Sequence, residues 1–218
     1  MKQRPFGSTG HFVSEIGLGT WQLGNEKDWG AMTEIEAIKI VDKALDLGCN
    51  FFDTAPNYGL GKSEEIIGKA LRGKRDKVII SSKFGHHDNG VINFDPNEIE
   101  KSIDKSLKRL QTDYLDSVLL HNPPFEILNG DSPHFEVLEK LKCEGKIGAY
   151  GASVDSSKEM CELIETTNSQ VIEVMFNIFH QETACDRQVE MNTFRQLTLN
   201  TFSTKNGRSV LHSITVII

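Results

Sequence analysis

A chain of 218 residues with 38% hydrophobic and 25% charged residues can form one sizeable core, or one domain with an appendage, and has an ordinary soluble, globular composition. Its net charge of -7 gives no basic footprint for nucleic acid or for an anionic membrane. No apolar run approaches the ~18 residues of a membrane span, no secretory core follows Met1–Phe6, and Cys49, Cys143, Cys161 and Cys185 have no zinc or dithiol spacing, so a cytoplasmic protein with buried free thiols is expected.

Residues 6–13 set Gly7, Ser8, Thr9 and Gly10 between apolar flanks and predict a short N-terminal hairpin. Residues 16–20 predict a first buried strand. Thr33-Glu34-Ile35-Glu36 is a capping box, and Ile35, Ile38, Val41 and Leu45 recur at helical spacing before Gly48, predicting a helix over 33–47. A second strand is expected over 49–53, then a helix opening at Ser63-Glu64-Glu65 with acidic residues in its first turn. A third strand spans 78–83. Asp95-Pro96 opens the next helix, with Ile99, Ile103, Leu107 and Leu110 on one face. Strands over 114–120, 147–153 and 171–176 alternate with helices over 135–143 and 156–166.

Strands alternating with helices through short loops predict parallel strands joined by right-handed crossovers. An open doubly wound sheet would carry Gly-x-Gly-x-x-Gly between its first strand and a helix. Gly17-Leu18-Gly19-Thr20-Trp21-Gln22 lacks the third glycine and enters a loop, which favours the eight-fold barrel. The predicted fold class is therefore α/β, a (β/α)8 TIM-barrel type with a short N-terminal hairpin, incomplete because about six strand-helix units can be read. Residues 1–181 form the partial barrel. Residues 182–218 are a divergent tail in which only Ser213–Ile218 reads as a strand. Two open parallel edges would invite association through them.

In parallel architectures ligands bind at the carboxyl ends of strands. The candidates there are Asp53, Lys83, His121 and Ser153, with Tyr58 five residues beyond Asp53. Each has a bland alternative: an Asp capping a turn, a solvated Lys, a structural His before a Pro pair, a packing Tyr. Their convergence from successive strand ends argues for chemistry. Lys83 beside Tyr58 would lower a phenol pKa of about 10, and Asp53 would keep Lys83 charged and oriented. With His121 bonding the reacting oxygen or sharing the proton, the group suits a general acid for a carbonyl becoming an alkoxide. These residues store no electrons, so a reduction requires a cofactor. His86-His87, the only adjacent His pair, lacks the spacing of a metal site.

The segments Gly17-Leu18-Gly19-Thr20-Trp21, Asp53-Thr54-Ala55 with Tyr58-Gly59, Ser63-Glu64-Glu65 before Gly68, Ser82-Lys83, the run 110–121, and Gly145-Lys146-Ile147 leading to Gly151-Ala152-Ser153 keep one order and spacing across residues 1–181. Together they resemble the aldo-keto reductase family. The resemblance implies an NADPH (NADP) cofactor and reduction of small-molecule aldehydes or ketones. It maps catalytic roles onto Asp53, Tyr58, Lys83 and His121, with Tyr58 as general acid. It places Gly19, Thr20, Asp53 and Ser153 near the cofactor. Two positions depart from the family: Val154 stands where Asn usually follows the Ser, and Glu173 stands where the sixth strand usually offers Gln. The family's last two strands have no match in 182–218. A shortened or mis-spliced form is one expectation, and a catalytically inactive fragment acting as a binding or regulatory partner is the alternative function.

Overall fold

The computed structural model describes residues 1–176, 196–203 and 209–217. Strands β1 (Gln3–Pro5) and β2 (Phe12–Ser14) pair antiparallel as the expected N-terminal hairpin. The chain then runs β3 (Ile16–Gly19), a short helix α1 (Glu26–Trp29), α2 (Glu34–Asp46), β4 (Phe51–Asp53), α3 (Lys62–Ala70), β5 (Ile79–Phe84), α4 (Ile99–Leu110), β6 (Leu115–His121), α5 (Pro133–Cys143), β7 (Ile147–Val154), α6 (Ser157–Thr166) and β8 (Val171–Phe176). The helix starts follow from their caps. In α2, Thr33 Oγ1 accepts from the Glu36 N–H while Glu36 Oε2 accepts from the Thr33 N–H at 2.9 Å, and Ser156 with Glu159 repeats the device in α6. Nothing in the sequence reading anticipated α1, whose four residues bury nothing and rest on backbone turns around Asn25.

Strands β3 to β8 run parallel in sequence order. Their register pairs join odd-numbered residues to odd and even to even, so the two-residue period of a strand sorts them into two faces. Even-numbered Phe52, Ile80, Val118, Leu120, Tyr150, Ala152, Ile172 and Val174 pack with Val41, Ile67, Ile103 and Leu138 of the helices. Odd-numbered Phe51, Ile79, Leu119, Ala149 and Val171 form a second cluster with Phe6 and Val13. The N-terminal hairpin therefore plugs the end of the ring where the strands begin. Coverage on both faces buries β5 at all six positions, and its polar Ser81, Ser82 and Lys83 are each hydrogen-bonded there.

The ring is not left open. β9 (Gln196–Ser203) runs parallel to β3, and β10 (Ser209–Ile217) runs antiparallel to both β9 and β8. The order β10-β8-β7-β6-β5-β4-β3-β9 is a closed barrel. This corrects the expectation that a lone strand at 213–218 would leave two edges unpaired, and with it the open-edge route to association. Strands β3 to β8 are the six parallel strands expected of an incomplete (β/α)8 barrel, and among the described residues β9 and β10 complete the ring as an antiparallel pair. Much of the expected tail, residues 182–195, 204–208 and 218, lies outside the described residues, as does Cys185.

The thiols depart from expectation in one respect: Cys49 is buried and Cys161 partly so, but Cys143 is exposed at the end of α5. Among the described residues no helix is long and apolar enough to cross a membrane.

Candidate active site

Odd numbering carries the site as well as the inner core. Asp53, Lys83, His121, Ser153 and Glu173 all lie on the inner face near the carboxyl ends of β4 to β8, with Gly19 paired to Asp53 and Ser153 paired to both His121 and Glu173. All but His121 are buried, with Lys83 and Asp53 at 2% exposure. The Lys83 ammonium donates to the Asp53 carboxylate, to the Thr54 carbonyl at 3.2 Å and to the Tyr58 hydroxyl at 3.4 Å. It also pairs with Glu173 Oε2 at 3.5 Å.

Tyr58 reaches this cluster because the loop after β4 turns sharply. Its N–H bonds the Ala55 carbonyl, and Gly59, Leu60 and Gly61 follow at φ of 56°, 53° and 89°. Three successive left-handed residues are sterically available here because two are glycine. The Tyr58 ring keeps partial exposure at the rim, while its hydroxyl lies in the enclosed cluster. Trp21 flanks it at 6.4 Å between ring centroids, and His121 meets it edge to face at 6.0 Å. His86, from the loop after β5, stacks on His121 at 4.4 Å and 25°.

Below this rim a second network fixes the strand ends. Thr20 donates both its N–H and its hydroxyl to the Asp53 carbonyl. Ser63, at the start of α3, donates to Thr20, and lies 3.3 Å from Thr54 Oγ1. On the far side, Ser153 donates to Asn122 Oδ1 at 3.0 Å. Asn122 adopts φ 47°, a conformation Asn tolerates better than most residues, and this turns its amide toward Ser153.

The charges shift one another in definite directions. Burial raises Glu173 to about 7, helped by the charge of Asp53 and opposed by Lys83. Burial also raises Asp53, against the pull of Lys83. Lys83 is disfavoured by burial, but Asp53, Glu173 and Tyr58 together push its pKa above the ordinary lysine value. His121 is held well below 6.5 by burial, then by Lys83 and His86.

One expectation fails here. Lys83 was expected to bring the Tyr58 pKa down; instead burial of the phenol, joined by Asp53 and Glu173, outweighs the ammonium and leaves it above its ordinary value. Tyr58 therefore carries its proton firmly in the resting site. The remaining expected residues assemble: Asp53, Tyr58, Lys83 and His121 converge, Gly19 and Ser153 lie at the same strand ends, and Thr20 sits in the buried network beneath them. Asn122 and His86 were not singled out for this site. Their signals, an Asn in His121-Asn122-Pro123-Pro124 and a His pair weighed only as metal ligands, were present but uninformative without the register. No group of three potential metal ligands occurs among the described residues.

A parallel α/β barrel with ionisable groups gathered where its strands end has the layout of a barrel enzyme. The family model for the aldo/keto reductase family matches residues 15–197, and the chain belongs to that family. The aldo-keto reductase YhdN of Bacillus subtilis (strain 168) is 38% identical over 187 residues, covering 84% of this chain and 56% of that one. A solved putative aldo-keto reductase from Pseudomonas aeruginosa superposes with a TM-score of 0.72 at 37% identity, over 84% of this chain and 70% of that one. An aldo-keto reductase from Klebsiella pneumoniae, solved in complex with NADPH, superposes with a TM-score of 0.62 at 32% identity, over 77% and 55%. The chain spans about half the length of the curated relatives it matches.

Proposed function

We propose that this protein is an oxidoreductase that reduces small aldehydes or ketones to alcohols with an NADPH (NADP) cofactor, Tyr58 acting as general acid. The observation that carries the reading is the line from Tyr58 through Lys83 to Asp53 on the inner face of the barrel. When bound, the nicotinamide of such a cofactor would supply the hydride.

The residues around the opening fit that end of such a cofactor. Gln22 Nε2, Asn57 Oδ1 and His121 Nδ1 are buried without a hydrogen-bond partner among the described residues. Buried polar atoms of this kind are costly unless a ligand or water engages them. Ser153 Oγ gives its proton to Asn122 Oδ1 and keeps lone pairs able to accept from a carboxamide N–H, while Asn122 Nδ2 is directed at Asp155. In this reading Gly19, Thr20 and Asp53 would line the nicotinamide end of the site. Val154 has no amide to offer, and in this reading Asn122, bonded to Ser153, supplies one.

Tyr58 donates its proton to the carbonyl oxygen as negative charge develops there. A phenol with a raised pKa is a weak acid in the resting site, so its transfer relies on the oxyanion being the stronger base and on Lys83 steadying the phenolate that remains. Asp53 keeps Lys83 charged and aimed. His121, neutral at physiological pH, bonds the substrate oxygen through its ring and aligns it.

The test is a fluorescence titration of the purified chain with NADPH together with an aldehyde-reduction assay of wild type and Tyr58→Phe. Saturable binding with turnover lost in the variant supports the reading. Absence of binding at high micromolar cofactor overturns it and leaves the non-catalytic alternative standing.

A further inference from the structure

We infer that Glu173 and Asp53 share a single proton beside the Lys83 ammonium, which makes Glu173 a positioning residue whose protonation state sets how Lys83 is held against Tyr58. Lys83 faces two carboxyl groups: it contacts Asp53 and lies 3.5 Å from Glu173 Oε2. All three side chains are buried, Lys83 completely and Glu173 at 10% exposure. Two ionised carboxylates and one ammonium in so dry a place leave a net negative charge unpaired, which is strongly disfavoured.

The carboxyl groups of Asp53 and Glu173 flank the same Lys83 ammonium, and the charge of Asp53 raises the pKa of Glu173. Two ionised carboxylates at one ammonium repel, and among the described residues Glu173 Oε2 has no hydrogen-bond partner beyond its 3.5 Å ion pair with Lys83. One proton resolves both problems: a protonated Glu173 donates to Asp53, the cluster becomes neutral overall, and the repulsion turns into a hydrogen bond. Gln at this position would supply an N–H permanently; Glu supplies an O–H that solvent can remove.

The groups facing Glu173 agree with that assignment. They are Asp53 from β4, Lys83 from β5 and Tyr58 from the loop after β4, each felt electrostatically, with Ser153 of β7 beside it in the register. On its other side Glu173 pairs through its backbone with Ile217 of β10. Burial and the neighbouring Asp53 lift its pKa to about 7, so the proton is exchanged in the neutral range. Losing it returns a second negative charge to Lys83 and draws the ammonium away from the Tyr58 hydroxyl.

The test is made without cofactor or substrate, so its outcome is separate from that of the proposed reaction. Infrared difference spectra of wild type against Glu173→Gln should show a protonated-carboxyl band on the acid side of pH ~7 that fades above it. Asp53→Asn should move that band's midpoint. In parallel, wild type should lose melting temperature relative to Glu173→Gln as pH rises from about 4.5 to about 7, because across that window the folded chain holds a proton the unfolded chain has released. If Glu173→Gln fails to fold, the same band is read from wild type against Glu173→Ala. Absence of the band, a midpoint unmoved by Asp53→Asn, or parallel melting curves would each overturn the inference. An inactive chain that shows the band would keep the inference and lose the proposed reaction.

Discussion

The Lys83 ammonium lies 3.4 Å from the Tyr58 hydroxyl, and through that contact the phenol is tied to two buried carboxyl groups rather than to one. Lys83 is thus the centre of the site in the electrostatic sense: Asp53, Tyr58, His121 and Glu173 are each shifted partly by Lys83.

Replacing Lys83 by Met should therefore be costly to the fold as well as to turnover. Removing one partner of a buried ion pair leaves uncompensated charge and costs about 3–5 kcal/mol. Urea denaturation of Lys83→Met should show a loss of that order at neutral pH, and a smaller one in acid, where Asp53 and Glu173 take up protons. A urea midpoint equal to that of wild type would mean the cluster is not held as a unit.

Much of this site was legible before any coordinates, because strands repeat every two residues. Asp53, Lys83, His121 and Ser153 each close an apolar run, and the barrel brings such ends together whatever its exact register. The environment was not legible in the same way. The pKa of Tyr58 depends on how deeply its hydroxyl is enclosed and on Glu173 arriving from β8, over a hundred positions away in sequence. The closing hairpin was missed for a different reason. In β9, Leu197 and Leu199 alternate with Thr198 and Asn200, only two repeats of the strand period within a polar stretch. That signal is too short to separate from a loop without the edge of β3 to pair with.

His121 should stay neutral well below the pH at which an ordinary histidine titrates. Its pKa is held well under 6.5 by burial first, then by Lys83 and His86. Unfolding exposes a ring that takes up a proton near 6.5, so the stability contributed by the neutral folded ring is present above that pH and is lost as pH falls through and below it. Proton NMR should show one ring resonance unmoved between pH ~8 and ~6 that is missing in His121→Gln. A His121 resonance with a midpoint near 6.5 would refute the assignment.

Gly59 controls where Tyr58 points. It has φ +56°, and a Cβ there would lie 2.7 Å from the Gly24 carbonyl oxygen. Gly59→Ala should therefore combine left-handed strain of about 1–2 kcal/mol with a forced shift of the loop. Gly90→Ala is the control, since its φ is +78° but nothing lies within 4 Å of the added carbon. Both variants should lose comparable amounts of stability from strain. Only Gly59→Ala should also reduce turnover, by roughly 10-fold or more, through displacement of Tyr58. Equal turnover in the two variants would separate the loop conformation from catalysis.

Arg109 and Glu64 should behave as one unit that braces the outside of the site. Glu64 is fully buried at the start of α3 and accepts from Arg109 Nε at 2.7 Å and from Ser82 Oγ at 2.7 Å. Arg109, from the last turn of α4, also donates to Asp88 at 2.8 Å, in the loop that carries His86. Ser82 precedes Lys83, so the network grips β5 from its outer face while Asp53 grips it from within. Arg109→Met strands a buried carboxylate and should cost about 3–5 kcal/mol. Arg109→Met combined with Glu64→Gln removes the stranded charge and should recover a substantial part of that loss. A double-mutant cycle by urea denaturation measures the coupling directly. Strict additivity of the two single substitutions would show that the pair contributes packing alone, whereas recovery in the double variant assigns the loss to the stranded charge of Glu64.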